Sequence, residues 1–167
     1  LAEPKNKLPK IIVIVHFAGL SCHLQAMHDL CKKYGIYLIE DACHALGAKY
    51  NSEPIGSCKF SDVVTFSFHP VKSITTGEGG MALTNNHDLA NKIRLLRSHG
   101  ITRDSTQMSK TPDGPWFNEQ IDLGFNYRMT EMQAALGNSQ LKRLDQYISK
   151  RNDIAEGYRK DLSALPL

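Results

Sequence analysis

Residues 11–17 form a nearly continuous apolar run rich in β-branched side chains, the pattern of a strand buried on both faces of a parallel sheet. Leu20, Leu24, Met27, Leu30 and Tyr34 then recur at steps of three and four, behind Ser21 as an N-cap and ahead of Gly35 as a stop. That spacing predicts an amphipathic helix. The apolar run returns over residues 36–40 as a second strand, so this stretch reads as one β-α-β unit with a right-handed crossover.

Residues 63–68 are another strand, and 80–84 a further one, a candidate hairpin partner. Asn86 can cap a helix whose Leu89, Ile93 and Leu96 share a face, with Gly100 just beyond its end. Residues 101–122 carry Pro112, Asp113, Gly114 and Pro115 and little periodicity, which predicts a long loop. Thr130 and Gln133 have the spacing of a capping box, and Ala134, Gly137, Leu141, Leu144 and Ile148 follow on one face, so a single long helix is expected over 130–162. The alternation of strands and helices points to an α/β fold, three-layer α/β/α with a mostly parallel sheet.

Composition narrows the function. The chain has 167 residues, 41% hydrophobic and 22% charged, which suits a globular domain with a sizeable core. No run approaches the ~20 apolar residues of a spanning helix, and residues 1–10 lack an apolar signal core, so neither a membrane nor an export reading gains support. A cytoplasmic setting is expected. The net charge of +3 is dispersed rather than striped, which gives no electrostatic support to a nucleic-acid partner. Cys22, Cys31, Cys43 and Cys58 are spaced by 9, 12 and 15 residues with no C-x-x-C pair, the usage of reduced structural thiols rather than of a zinc site.

Two strand-ending segments carry the chemistry. Ile39-Glu40-Asp41-Ala42-Cys43-His44-Ala45 closes the second strand. Thr65-Phe66-Ser67-Phe68-His69-Pro70-Val71-Lys72 closes the third and runs into the turn Thr76-Gly77-Glu78-Gly79-Gly80. Together they supply what pyridoxal 5′-phosphate (PLP) needs: a lysine for its aldehyde, an aspartate to keep its ring nitrogen protonated, and a hydroxyl at a strand end for its phosphate. A lysine is ordinarily a solvated surface residue and a strand-closing aspartate ordinarily a turn residue. Here Lys72 follows an apolar strand and precedes a glycine-rich turn that lets backbone approach a ligand. That turn lacks the G-x-G-x-x-G and P-loop spacings, so those nucleotide motifs are not supported.

These segments, with Val15-His16-Phe17-Ala18-Gly19-Leu20 and Gly124-Phe125-Asn126-Tyr127-Arg128-Met129-Thr130, resemble the DegT/DnrJ/EryC1/StrS nucleotide-sugar aminotransferases, and within that family look most like its pseudaminic acid branch. The resemblance covers essentially the whole chain and implies the large domain of a PLP-dependent transferase of fold type I. It implies that Lys72 binds the cofactor covalently, that Asp41 meets the ring nitrogen, that His44 lies against the ring or its phenolic oxygen, and that Ser67 binds the phosphate. Asn126 is implied to reach the phosphate of the other subunit of a homodimer. L-glutamate as amino donor and a UDP-linked keto-deoxysugar as acceptor follow from the same resemblance. His69 lies near these residues without a role that chemistry forces.

The match is to the middle of a family member, so residues 1–167 are expected to be the central part of the large domain, with the helix 130–162 leading toward a small C-terminal domain outside the chain. On that expectation the chain alone is a weak catalyst. A PLP-dependent sugar dehydratase of the same family carries histidine in place of the lysine, which Lys72 opposes. A non-catalytic binding or dimerisation module is the rival of another class. A hydrolase built on Cys43 and His44 is disfavoured, because neighbours on a strand face opposite ways.

Overall fold

The computed structural model describes residues 7–165. They divide into two units, one formed by the described residues up to Leu83 with those from Glu131 onward and the other by Thr84–Thr130. In the first unit β1 (Ile11–Val15), α1 (Leu24–Tyr34) and β2 (Tyr37–Asp41) make the expected β-α-β unit. A small antiparallel ribbon of β3 (Lys49–Tyr50) and β4 (Glu53–Pro54) precedes β5 (Val63–Ser67), and β6 (Gly80–Leu83) follows. The main sheet has the order β1-β2-β5-β6. Its first three strands are parallel, with Ile12 opposite Leu38 and Glu40 opposite Val64, and β6 pairs antiparallel to β5 as the hairpin expectation required.

One face of this sheet makes the core. Leu38, Glu40, Val64 and Phe66 alternate as its buried positions, and Ile12 and Ile14 join Leu38 beneath Met27, Cys31 and Tyr34 of α1. The structure departs here from the reading of residues 11–17 as a strand covered on both faces. The strand stops at Val15, and Ile11, Val13 and Val15 are 50%, 57% and 48% exposed. α1 packs on the opposite face, where Ile12 and Ile14 lie, and Tyr37 of the neighbouring strand β2 is likewise exposed on the open face.

α1 starts later than its apolar spacing predicts. Leu20 is exposed, Ser21 donates to the Cys22 carbonyl instead of capping, and His23 takes the N-cap place with its side chain on the Tyr50 hydroxyl rather than on the helix. The cause lies at His16, whose Nδ1 accepts the Cys22 N–H at 3.0 Å and draws residues 16–22 into a turn before the helix can begin. Gly35 ends α1 as expected, at φ 67°, with its N–H on the Cys31 carbonyl.

The second unit opens with α2 (His87–Leu96), capped by the Asn86 side chain on the Leu89 N–H. The expected loop 101–122 contains a short ribbon, β7 (Ile101–Thr102) with β8 (Glu119–Gln120), and a 3-10 turn at Ser105–Gln107 capped by Asp104. Strands of two residues show no periodicity, which is why the pattern misses them. Gly100, at φ 68°, donates to the Leu95 carbonyl and accepts from the Ile121 N–H, so α2 and the ribbon meet at its backbone.

The long helix expected over 130–162 is two helices, α3 (Glu131–Leu141) and α4 (Leu144–Asp161). Neither glycine nor proline marks the break at Lys142 and Arg143. The break accompanies a contact remote in sequence: Leu144 and Ile148 lie over Gly47, whose φ of 89° and lack of a side chain admit them.

Within the core, Glu40 and His16 are 2% and 0% exposed. Glu40 Oε2 accepts from His16 Nε2 at 2.8 Å and Oε1 from the Ser61 hydroxyl at 2.6 Å. The proton is assigned to Nε2 because Nδ1 is the acceptor for Cys22. Glu40→Ala strands the buried His16 donor and the half-buried Ser61 hydroxyl and should cost about 2–4 kcal/mol in a urea titration, whereas Glu40→Gln, which keeps a carbonyl acceptor, should cost clearly less.

Candidate active site

The site lies where the parallel strands end, the place at which open α/β sheets bind ligands. Asp41 is the last residue of β2 and stands opposite Thr65 of β5, with Ser67 two residues on. Strand alternation turns Asp41, Thr65 and Ser67 to the face away from Glu40 and the core. Both Asp41 and Ser67 are half-buried.

Asp41 is held as a carboxylate. Its Oδ1 accepts the Cys43 N–H at 3.0 Å, and the Cys43 thiol also donates to it. These bonds, followed by the nearby His44 and the Lys72 ammonium, keep its carboxyl below the usual aspartate value. Because the carboxyl is more acidic in the folded chain, Asp41 favours folding at neutral pH, and that contribution goes only as pH falls through the lowered value. The converse holds for Cys43: burial first, then Asp41, pushes its thiol up to about 11. A neutral thiol is a poor nucleophile. Cys43 and His44 lie in a turn after β2 rather than on a strand, so the expected opposition of strand neighbours does not apply, and the hydrolase pairing is opposed by the neutral thiol instead.

His44 is exposed. Its Nδ1 accepts the Ala18 N–H at 3.2 Å, and its ring lies 5.9 Å from that of Phe17. Ala18 at φ 53° and Gly19 at φ 87° bend this loop tightly enough for a Cβ on Gly19 to stand 3.1 Å from the His44 carbonyl. Ser67 Oγ accepts the His69 N–H at 3.3 Å, which leaves the hydroxyl proton for a ligand oxygen. His69 is exposed, with Nε2 3.8 Å from Glu78 Oε1.

Lys72 is half-buried in the loop 68–79 between β5 and β6. Its N–H bonds the His69 carbonyl at 3.0 Å, and its charge acts on both Asp41 and Cys43. Lys72 also borders a cleft of about 350 Å³ lined by Pro70, Thr75, Tyr147 and Arg151 among others. A hollow of about 410 Å³ sits at the opposite end of the sheet, where β2 starts at Tyr37, and shares no residue with this chemistry. Asn126 belongs to the second unit, where its backbone bridges Ser98 and the residue is exposed.

The structure thus brings Asp41, His44, Ser67 and Lys72 to one end of one sheet. The sequence reading passed over the buried His16–Glu40–Ser61 chain behind them. Its signal was available, since Glu40 shares the parity of Leu38 and so falls on the core side of β2.

The family model for DegT/DnrJ/EryC1/StrS aminotransferases matches residues 3–167. The chain belongs to this family. It is 46% identical over 155 residues to the UDP-4-amino-4,6-dideoxy-N-acetyl-beta-L-altrosamine transaminase of Campylobacter jejuni, covering 93% of this chain and 38% of that protein. Among solved structures it resembles Helicobacter pylori PseC, an aminotransferase involved in the biosynthesis of pseudoaminic acid, with a TM-score of 0.83 and 36% identity over 93% of this chain and 39% of that one. It also resembles the PLP form of the putative sugar aminotransferase Spr1654 of Streptococcus pneumoniae, with a TM-score of 0.74 and 26% identity over 96% of this chain and 44% of that one. The chain therefore spans about two-fifths of the length of such relatives. PLP is the cofactor of this family, and the fold is part of its α/β transferase domain.

Two measurements follow from the Asp41–Cys43 geometry. Site-resolved alkylation by iodoacetamide at neutral pH should modify Cys43 roughly a hundredfold more slowly than an ordinary thiol, its rate climbing toward about pH 11. Asp41→Asn, which removes the carboxylate beside the thiol, should move that profile to lower pH.

Proposed function

We propose that this chain is the central part of the cofactor-binding domain of a nucleotide-sugar aminotransferase, which moves an amino group from L-glutamate to the 4-keto carbon of a UDP-linked deoxysugar of the pseudaminic acid type. The observation that carries the reading is a carboxylate kept ionised at the end of β2 within electrostatic reach of a lysine on the next strand's loop. The donor set fits PLP, because an anion, a primary amine and a spare hydroxyl converge at the ends of adjacent parallel strands. The 46% identity to a transaminase of a UDP-linked amino sugar supports the sugar class.

Bound PLP supplies an aldehyde that a lysine amine can capture and a protonated ring that draws electrons from a breaking C–H bond. In this reading Lys72 Nζ holds the cofactor and, once displaced by the substrate amine, carries the proton from the carbon of the amino donor. Asp41 keeps the proton on the ring nitrogen, which an ionised carboxylate stabilises and a neutral amide does not. Ser67 donates to the phosphate, and His44 borders the ring with the Phe17–Gly19 loop behind it. Asn126 serves the phosphate of a partner subunit, which makes the working form a homodimer. The free cysteines agree with a reducing, cytoplasmic setting. Separately, no helix among the described residues is long and apolar enough to cross a membrane.

Incubation with PLP, borohydride reduction and peptide mapping should place the pyridoxyl group on Lys72, and Lys72→Ala should remove it. A label on another lysine would reject the assignment. In the longer protein of which this chain is proposed to be the central part, Asp41→Asn should retain PLP but lower glutamate-dependent amination of a UDP-4-keto sugar on the order of a hundredfold or more. A near-normal rate in that variant would reduce Asp41 to a turn residue.

A further inference from the structure

The loop that bears Lys72 is gripped from outside at positions three residues apart. Arg151 of α4 donates to the Lys72 carbonyl at 3.3 Å, Gln140 of α3 accepts the Thr75 N–H at 3.0 Å, and Gln133 of α3 donates to the Glu78 carbonyl at 2.9 Å. Gln133, Gly137 and Gln140 are spaced by four and three residues, so they share one helix face. Gly137 lets that face close onto the loop: a Cβ there would stand 2.8 Å from Thr76 Cγ2. Thr76 cannot easily yield, since it is 3% exposed and its hydroxyl is bonded to the Glu78 carbonyl at 2.8 Å.

Internal bonds alone leave the loop's Lys72 end thinly held. Thr75 and Thr76 fold the later part back on Phe68, through Thr75 Oγ1 and the Thr76 N–H to the Phe68 carbonyl, both at 3.0 Å. Lys72 itself has the His69 carbonyl and the Arg151 contact. The same helical pair reaches the Asp41 side, where Leu144 and Ile148 cover Gly47 at the end of the segment holding Cys43 and His44. One helix, α4, therefore touches both segments whose relative placement the chemistry needs, through Arg151 on one and Leu144 and Ile148 on the other.

We propose that the Gln133–Gly137–Gln140 face of α3, with Arg151 of α4, sets the position of the Lys72 amine, so that these are positioning residues. The inference rests on Lys72 being the cofactor lysine. The polarity of the two glutamine contacts supplies a test that simple helix packing does not pass. Gln140 acts as an acceptor, so Gln140→Glu keeps its bond; Gln133 acts as a donor, so Gln133→Glu loses it.

The chain is incubated with saturating PLP, trapped with borohydride at timed intervals, and the label on Lys72 is followed by peptide mass spectrometry, with melting temperatures recorded for every variant. Gln140→Ala and Gln133→Glu should slow labelling of Lys72 roughly tenfold to a hundredfold, because small displacements of a reacting group carry penalties of that order. Gln140→Glu should label as wild type does. Gly137→Ala should be slow as well, and Thr76→Ser in that background, which removes the clashing methyl and keeps the hydroxyl, should restore the rate. If wild type labels Lys72 but Gln140→Glu is as slow as Gln140→Ala, or every variant labels at the wild-type rate, the positioning role is overturned and the proposed function stands. If wild type labels a different lysine, both fall.

Discussion

Glu40 is a carboxyl group buried in the core, a costly position unless each oxygen finds a hydrogen-bond partner. His16 and Ser61 answer it, and each comes from a different part of the chain: His16 from the turn after β1, Ser61 from the approach to β5. The imidazole is itself anchored, because its other nitrogen takes the Cys22 N–H ahead of α1 and its backbone N–H bonds the Asp41 carbonyl. A group so constrained admits one arrangement of its neighbours. Strand alternation then passes the constraint to the other face, since fixing Glu40 fixes the direction in which Asp41 leaves the strand.

That division of labour organises the first unit. The core-side face of β2 and β5 carries Leu38, Glu40, Val64 and Phe66, which hold the sheet together. The opposite face carries Asp41, Thr65 and Ser67, which have no part in the core. Beyond the strand ends, loops with glycine at positive φ bring backbone close: Gly19 beside His44, and Gly47 beneath α4. The family's chemistry needs charged and hydroxylic groups that are ordered yet accessible, and half-buried strand ends provide that condition.

Much of this was legible because it is local. The β1–α1–β2 unit, the Gly35 stop, the Asn86 cap and the pairing of residues 80–83 with β5 all rest on periodicity or capping within a few residues. What the sequence concealed depends on distant partners. The open face of β1 depends on which side of the sheet α1 packs, and the later start of α1 on a histidine eight residues before Leu24. The division of α3 from α4 goes with packing on Gly47, far upstream. At the site, Asp41, Ser67 and Lys72 could be picked out because their spacing from apolar runs places them at strand ends. Gln133 reads as a helix-capping residue, yet its amide reaches Glu78, a contact that spacing cannot display.

The grip of α3 and α4 on the loop 68–79 joins residues separated by 55, 65 and 79 positions. A ribosome releases the sheet and the lysine loop long before it releases the helices that hold that loop, and the whole second unit is made in between. Contacts of such sequence separation are the kind that close slowly in folding. The order of elements along the chain therefore places the partners of loop 68–79 last in this unit, so a chain ending before residue 131 would lack every one of these three contacts.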